Sequence, residues 1–574
     1  MKIFLITTPD EKTWPEQKHE VIFLGEWCKT YSYKKNPKVK SKTLNYHWDD
    51  RNKLENDFLY LEDLYKKVLI SLSRKLNFIH KKNYEPSFWE ITIGFWLHNF
   101  LHVVFDRWEV LSKLDSSKEY FLNHIDYNLD KLMVNNSYDS IHNFTEDYWN
   151  SYMFREILKY RYSINCCQTP QIKKVTERGL NKKKSFIVNF YLKIFSFLSK
   201  KKTSIILDVK LSFYDMIILF FKTNSLYFPT KIYDEIAESE YDEEKRNWEL
   251  KFNGSNEFET FLSKIISYHI PKVFIEGFDN ILIELNKSLL PKSPKNILSL
   301  NSFFKDDFFS FYMALSKMSG TKILTWQHGG NFGIGKFSVY ENYQISISDK
   351  FFSWGWNNKN NNVIPLGYFK KPKGKNKTFK SRGSILYVNT TYPRYSWSIY
   401  STPVSSSQNI KYFDSQFNFF KNLDKTIFSK MIIKLPNYDH GWNMKARFRD
   451  SFPGINIYNG NKSALSLTNT AKITICSYNG TFFLESLANN IPTIIFLDKE
   501  YFELNKESIP MFKILKKHFI FHETSLSAAN HLNLIYDKVD EWWYEENLQN
   551  SLKEFVYTYC RSYKIDKLIS SLNE

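Results

Sequence analysis

ITICSYNGTFFLESLANNIPTIIFL, residues 473–497, sets a short apolar strand (473–476), a polar glycine turn, a helix opening near Thr481 and a second strand (493–497) in one continuous run. Strand, turn, helix and strand in that order make a unit of a parallel sheet covered on both faces by helices, so the fold class is α/β. The turn also carries chemistry. Ser477, Asn479, the backbone donors around Gly480 and the Thr481 hydroxyl stand at the positive end of the expected helix, where one or two phosphate groups are favoured. Glu485, one turn further in, can take ribose or base donors. Ser477 or Thr481 alone is explained by an N-cap; the order of elements favours the phosphate reading.

The same sheet extends upstream, with strands expected at 385–389 (ILYVN) and 430–434 (KMIIK) around a helix near 413–423. Thr390, Thr391 and Arg394 follow the first of these strands at the corresponding carboxyl edge. The second opens into KLPNYDHGWNMKARFR (434–449), whose Lys434, His440, Lys445, Arg447 and Arg449 can neutralise a phosphate or an acidic sugar. Residues 370–384 (KKPKGKNKTFKSRGS) are basic and hold Pro and two Gly, the composition of a linker. The expected organisation is therefore an acceptor-side α/β domain with helical insertions at 1–369, a linker at 370–384, a nucleotide-sugar donor domain at 385–539, and helices at 540–574 that pack back.

Within the first domain, strands are expected at 1–8, at 204–208 (SIILD), 272–276 (KVFIE) and 322–326 (KILTW), with helical spacing at 54–77 and 88–110. The last of these strands delivers WQHGGNFGIG (326–335). Gln327 can fix a hydroxyl, His328 can exchange a proton near neutral pH, and Gly329 and Gly330 let backbone approach a ligand. The loop has neither GxGxxG spacing nor a GK[ST] ending, so it is neither a Rossmann fingerprint nor a Walker loop. Glu26 in LGEWC (24–28) and Asp49 in YHWDD (46–50) are further candidate bases, beside the sugar-sized faces of Trp27 and Trp48. Cys28 reads equally well as core. His98 and His102 are four apart, with Asp106 a turn on, a spacing that can hold a metal; without an HExxH pattern they read as interior helix residues, and no metal is expected.

The 574 residues exceed a single core, and 43% apolar content excludes a disordered chain. No window approaches a membrane span, no signal-peptide h-region forms after Met1, and five cysteines provide neither a disulfide framework nor a zinc CxxC pair. A cytoplasmic protein is expected. The +18 charge is spread along the chain and comes without zinc-finger or RNP motifs, so it suits phosphate, acidic glycan or an anionic membrane surface rather than nucleic acid. Residues 185–199 (SFIVNFYLKIFSFLS), with three lysines on each side, read as a buried helix or as an interfacial one at the inner face of the inner membrane.

Together LGEWC, YHWDD, IGFWLHNFLHVVFDR (93–107), WQHGG and SYNGTFFLESLANNIPTI resemble a bacterial family of surface-polysaccharide transferases first described in Leptospira O-antigen clusters. That family is similar to capsule Kdo transferases, CDP-glycerol polymer transferases and transferases that take pseudaminic or related nonulosonic acids from CMP-sugars. The resemblance implies a GT-B-like fold, two Rossmann-like domains facing a cleft, with no cofactor beyond the CMP-sugar donor. It places Gln327, His328 and Gly329 against the transferring group and Ser477, Gly480, Thr481 and Glu485 against the donor. Lys434, Leu435 and Pro436 stand where related enzymes carry a His-Pro pair, so the histidine is missing and His440 or Arg447 supplies charge instead. The implied partners are a nucleotide sugar and a glycan or lipid-linked glycan acceptor. Two alternatives remain: a CDP-glycerol or CDP-ribitol polyol-phosphate transferase, and a nonenzymatic glycan-assembly protein.

Overall fold

The computed structural model describes residues 3–15, 19–35, 41–124, 127, 132–162, 164–168, 203–228, 237–252, 254–288, 290–370 and 383–574. The interior of the expected linker (371–382) and the lysine-flanked segment 185–199 lie outside the described residues.

Three parallel sheets organise the chain. The third contains the stretch that opened the sequence reading: β12 (Ser384–Val388), β13 (Met431–Lys434), β14 (Asn456–Ile457), β15 (Ala471–Cys476), β16 (Thr493–Phe496) and β17 (Phe521–His522), in the order β14-β13-β12-β15-β16-β17. This is the doubly wound order, in which the chain leaves the central pair β12 and β15 in opposite directions and opens a crevice at their carboxyl ends. The second sheet runs β11-β10-β9-β8-β6-β7, built from β6 (Ser204–Leu207), β7 (Ser225–Phe228), β8 (Asn296–Ser299), β9 (Lys322–Trp326), β10 (Lys350–Ser353) and β11 (Val363–Pro365). These two are the expected Rossmann-like pair. Residues 3–168 add a five-stranded sheet, β3-β2-β1-β4-β5, from β1 (Ile3–Ile6), β2 (Glu20–Phe23), β3 (Ser41–Thr43), β4 (Tyr120–His124) and β5 (Ile164–Gln168). The span 1–369 therefore holds two sheets.

Two long helices join the first and second sheets. Arg51–His80 is capped by Asp50, whose carboxylate accepts from the Asn52 and Lys53 N–H groups, and Pro86–Leu111 starts on a proline that is preset for the first turn. The second of them is apolar on nearly every side, which requires burial all round, and it packs on Arg51–His80, Asp147–Arg161 and Asp307–Met318. Its one internal charge pair is satisfied: Arg107 holds Asp106, the Asn150 side chain (2.7 Å) and the Ser396 carbonyl (2.8 Å).

The C-terminal helices Val539–Trp543, Glu546–Tyr559 and Ile565–Asn573 begin on the third sheet's domain and end on the second's. Trp543 is buried and donates to Asn490 (2.8 Å), while Tyr544 is exposed. The crossing passes over Gly367, at φ 126°, where a Cβ would sit 2.7 Å from the Tyr563 backbone; a side chain there would block the passage. Beyond it the Leu572 carbonyl accepts from Asn296 (2.7 Å) and Tyr563 donates to Asp215 (2.6 Å).

One expected strand is not a strand. KVFIE at 272–276 begins with the 3-10 turn Lys272–Phe274 behind Pro271, and Val273, Phe274 and Ile275 are buried in succession rather than alternately. Glu276 is pulled inward by Arg246: the two form a bidentate pair (2.6 and 2.7 Å), and Arg246 also donates to the Ser267 and Ile270 carbonyls. Glu276→Gln strands a guanidinium that is fully buried, and chemical denaturation is expected to show a loss of about 3–5 kcal/mol.

Candidate functional site

The carboxyl ends of the second and third sheets meet through the two glycine loops read in the sequence. A Cβ on Gly330 would lie 2.5 Å from the Gly480 carbonyl oxygen and 2.6 Å from the Thr481 nitrogen, so backbone rests on backbone. Next to this contact Asn479 donates to Asn331 across 2.6 Å. The loop continues along the third domain, with the Lys336 N–H on the Glu503 carbonyl (3.0 Å) and the Asn505 N–H on the Ile334 carbonyl (2.8 Å).

Helix Thr481–Ala488 starts at Gly480 with no described side chain capping it, whereas Ser405, Ser463 and Thr524 cap theirs. Its first N–H groups therefore lack a side-chain partner, and an anion reaches them where the Gly330 loop stands off the helix end. Across the crevice, the Tyr412 hydroxyl joins its two rims, accepting from the Thr390 N–H (3.4 Å) and sharing a 3.0 Å hydrogen bond with Ser477. Asn331 Nδ2, Asn389 Oδ1, Thr391 Oγ1, Asn479 Oδ1 and the Tyr501 hydroxyl are buried here without a hydrogen-bond partner among the described residues. Each such atom costs about 1–3 kcal/mol, which a bound polar group or an opening of the interface relieves.

Gln327 does not reach into this space. Its Nε2 donates to Gly329 (2.8 Å) and Phe332 carbonyls, and its Oε1 accepts from the Trp354 N–H (2.9 Å) and Trp356 Nε1 (2.8 Å), so it braces the loop. His328 is placed differently. Gln344 spends its amide nitrogen on the carbonyls of Leu300 and Trp326, which leaves its Oε1 to accept from His328 Nδ1 at 3.0 Å. The imidazole proton therefore sits on Nδ1 and the lone pair on Nε2. Burial lowers the pKa to about 4, against a smaller raising effect from Gln344, which keeps the ring neutral.

Glu485 is engaged by the second sheet's domain rather than left open for a ribose: Tyr368 and Lys370 (2.8 Å) both donate to Oε1. The remaining sequence candidates lie apart from this space, Lys434 within the third domain and the others in three neighbourhoods where the first sheet's loops meet that domain. Glu26 binds Lys29 through Oε1 (3.1 Å) and Lys34 through Oε2 (2.7 Å), so both oxygens are engaged; burial works to raise its pKa, but the two ammonium groups outweigh it and hold the carboxyl below its ordinary value. Nearby, Arg447 lies between the Tyr31 and Phe413 rings and donates to the Trp442 carbonyl. Arg394 holds Asp147 through both carboxylate oxygens at 3.2 Å and the Trp27 carbonyl; His440 lies beside it, its pKa lowered to about 4 by burial. Lys434 sits over the Tyr458 ring. Asp49 accepts from Ser407 (2.8 Å) and lines a cavity of about 410 Å³ with Arg51, Gln408, Lys411, Lys499, Tyr501 and Glu503. Arg51 and Glu503 form a bidentate pair on its wall.

A sequence profile of a transferase family matches residues 3–569. The chain belongs to the LIC12162 family of transferases. No curated protein matches it. Among solved structures it is similar to α,α-trehalose 6-phosphate synthase from Burkholderia multivorans, at 10% identity and TM-score 0.36 over 65% of this chain and 98% of that one. MurG from Acinetobacter baumannii is similar at 9% identity and TM-score 0.32, over 65% and 99%. SnogD from Streptomyces nogalater, a glycosyltransferase, is similar at 10% identity and TM-score 0.34, over 65% and 100%. No described helix is long and apolar enough to cross a membrane.

Sequence reasoning missed Asn331, Tyr412, Tyr501, Tyr368 and Arg51. Asn331 lies within the WQHGGNFGIG loop without being singled out there; the others act through partners far along the chain.

In this LIC12162-family chain, Gly330→Ala is expected to force the two loops apart, at an overpacking cost of about 1–3 kcal/mol, seen as faster amide exchange at 478–482. Gly329→Ala, whose Cβ would only touch Phe332 at 3.7 Å, is expected to behave as wild type. A pH effect arises at the same loop. Glu341 accepts from the Gly333 N–H (2.8 Å), and burial raises its pKa to about 7, with that hydrogen bond opposing. A carboxyl raised on folding stabilises fully below its unfolded value, and the contribution fades as pH rises through about 7. Glu341→Gln is expected to flatten this fall in a series of thermal melts from pH 4.5 to 8.

Proposed function

We propose that the chain is a glycosyltransferase that moves an acidic sugar, a nonulosonic acid such as pseudaminic acid or a Kdo-like sugar, from a CMP-sugar to a capsule or O-antigen glycan. The observation that carries the reading is the meeting of an uncapped helix end, Gly480–Thr481, with the loop bearing a neutral His328 at the carboxyl ends of two facing sheets. An anionic leaving group fits the first element, and a hydroxyl to be deprotonated fits the second. A single helix terminus with Ser477 and Thr481 beside it matches the one phosphate of a CMP donor.

In this reaction the acceptor hydroxyl oxygen bonds to the anomeric carbon, the bond from that carbon to the phosphate oxygen breaks, and CMP departs with the electron pair. The hydroxyl proton passes to Nε2 of His328, whose Nδ1 is already held by Gln344. The N–H groups at Gly480–Thr481 stabilise the departing phosphate, and closure of the glycine loops excludes water. The cavity beside Asp49 and Arg51, with charges of both signs, supports a hydroxyl-rich glycan, which takes several hydrogen bonds without a strong net field.

Calorimetry with CMP, CDP, UDP and dTDP tests the reading. CMP is expected to bind most tightly, and His328→Gln to retain CMP binding while losing turnover of a CMP-sugar at least about 100-fold, the range of a lost general base. A preference for CDP favours polyol-phosphate transfer, and no nucleotide binding sinks the enzyme reading.

A further inference from the structure

Between the two long helices, half-buried Glu62 on Arg51–His80 faces the buried His98 and His102, one turn apart on Pro86–Leu111. One ligand atom from each of the three lies within 4.8 Å of the others, with Glu62 Oε1 3.7 Å from His98 Nδ1; Glu62 Oε1, His98 Nδ1 and His102 Nε2 are the candidate ligand atoms. All three atoms are buried without a hydrogen-bond partner among the described residues, and the two histidines are 3% and 1% exposed. The sequence reading took this pair as satisfied interior residues with Asp106 the next group along the helix. The structure gives Asp106 to Tyr46 and Arg107, and brings Glu62 to the histidines from the other helix.

From these positions we infer that Glu62, His98 and His102 bind a divalent transition-metal ion, of the zinc kind by the ligand set, separate from the proposed donor site. Two imidazoles and a carboxylate are a borderline donor set, and ligands around tetrahedral zinc stand roughly 3.4 Å apart, so the three atoms need only a small inward rotation. Burial lowers the pKa of His98 and His102, the value for His102 falling to about 3, and so keeps both rings in the ligand-competent neutral form. A dication also compensates the Glu62 carboxylate, whose other oxygen is oriented by Asn342 at 3.3 Å. One contact has to yield. The Ile399 N–H donates to His102 Nδ1 at 3.3 Å, which places the ring proton on Nε2 in the metal-free chain. Metal on Nε2 sends that proton to Nδ1, and the Ile399 segment shifts.

The full chain, purified without a polyhistidine tag, stripped with chelator and dialysed against Zn2+ or Co2+, is measured for metal content by mass spectrometry. The expected result is one ion per chain, a tetrahedral Co2+ spectrum, a higher thermal midpoint on loading and faster amide exchange around Ile399. Glu62→Gln is expected to weaken metal binding at least about tenfold, the usual scale for a disturbed metal ligand shell, and His98→Gln with His102→Gln to abolish it. A wild-type chain that holds no ion after dialysis overturns the inference. So does a folded double variant that keeps the wild-type amount; if that variant does not fold, an unchanged Co2+ spectrum in Glu62→Gln overturns it instead.

Discussion

The close approach of Gly330 to Gly480 and Thr481 is the constraint around which the rest of the molecule is arranged. Two backbones can touch at this distance only where neither presents a side chain, and the contact brings a histidine-bearing loop from one sheet to the start of a helix on another. Gln327, buried and bonded four ways, fixes the shape of one partner, while the strand order around β12 and β15 fixes the place of the other.

The first sheet acts from outside this contact. Its loops and the start of helix Arg51–His80 reach the third domain through Arg51 on Glu503, Asp147 on Arg394, and Tyr31 and Lys35 on Asp450. Beside these partly exposed polar links runs a buried apolar seam: Tyr395, Ile399 and Val404 pack in the same core as Leu5, Ile6 and Trp27, and that core continues into the helix layer between the first two sheets, where Pro86–Leu111 has almost no exposed face.

The third sheet was legible because its information is local. Strand, turn and helix follow one another within 473–497, and short Ile-rich runs at 385–389 and 430–434 have few other readings. Where the signal was not local, reading failed. KVFIE has the composition of a strand, yet Pro271 before it and the distant Arg246 decide its shape. The short β8, which begins on buried Asn296, went unread because its hydrogen bonds run to Ser204 and to the C-terminal helix. Among candidate site residues, His328 and the 477–481 turn were visible as motifs. Glu26 and Arg447 were visible only as charges, and the lysines and rings that engage them come from separate elements. Tyr412 and Asn331 matter through pairings no spacing rule reports.

The passage of the C-terminal segment over Gly367 has a mechanical consequence. The chain joins the second and third sheets' domains twice, once between 370 and 383 and once between Tyr559 and Tyr563, and the final helix is tied to the second sheet through Asn296 and Asp215. These two crossings lie beside the buried apolar core that the two domains share, so any separation of the glycine loops has to strain the crossings and expose Phe332 and Phe482, both of which act to return Gly330 to the same register on the helix end.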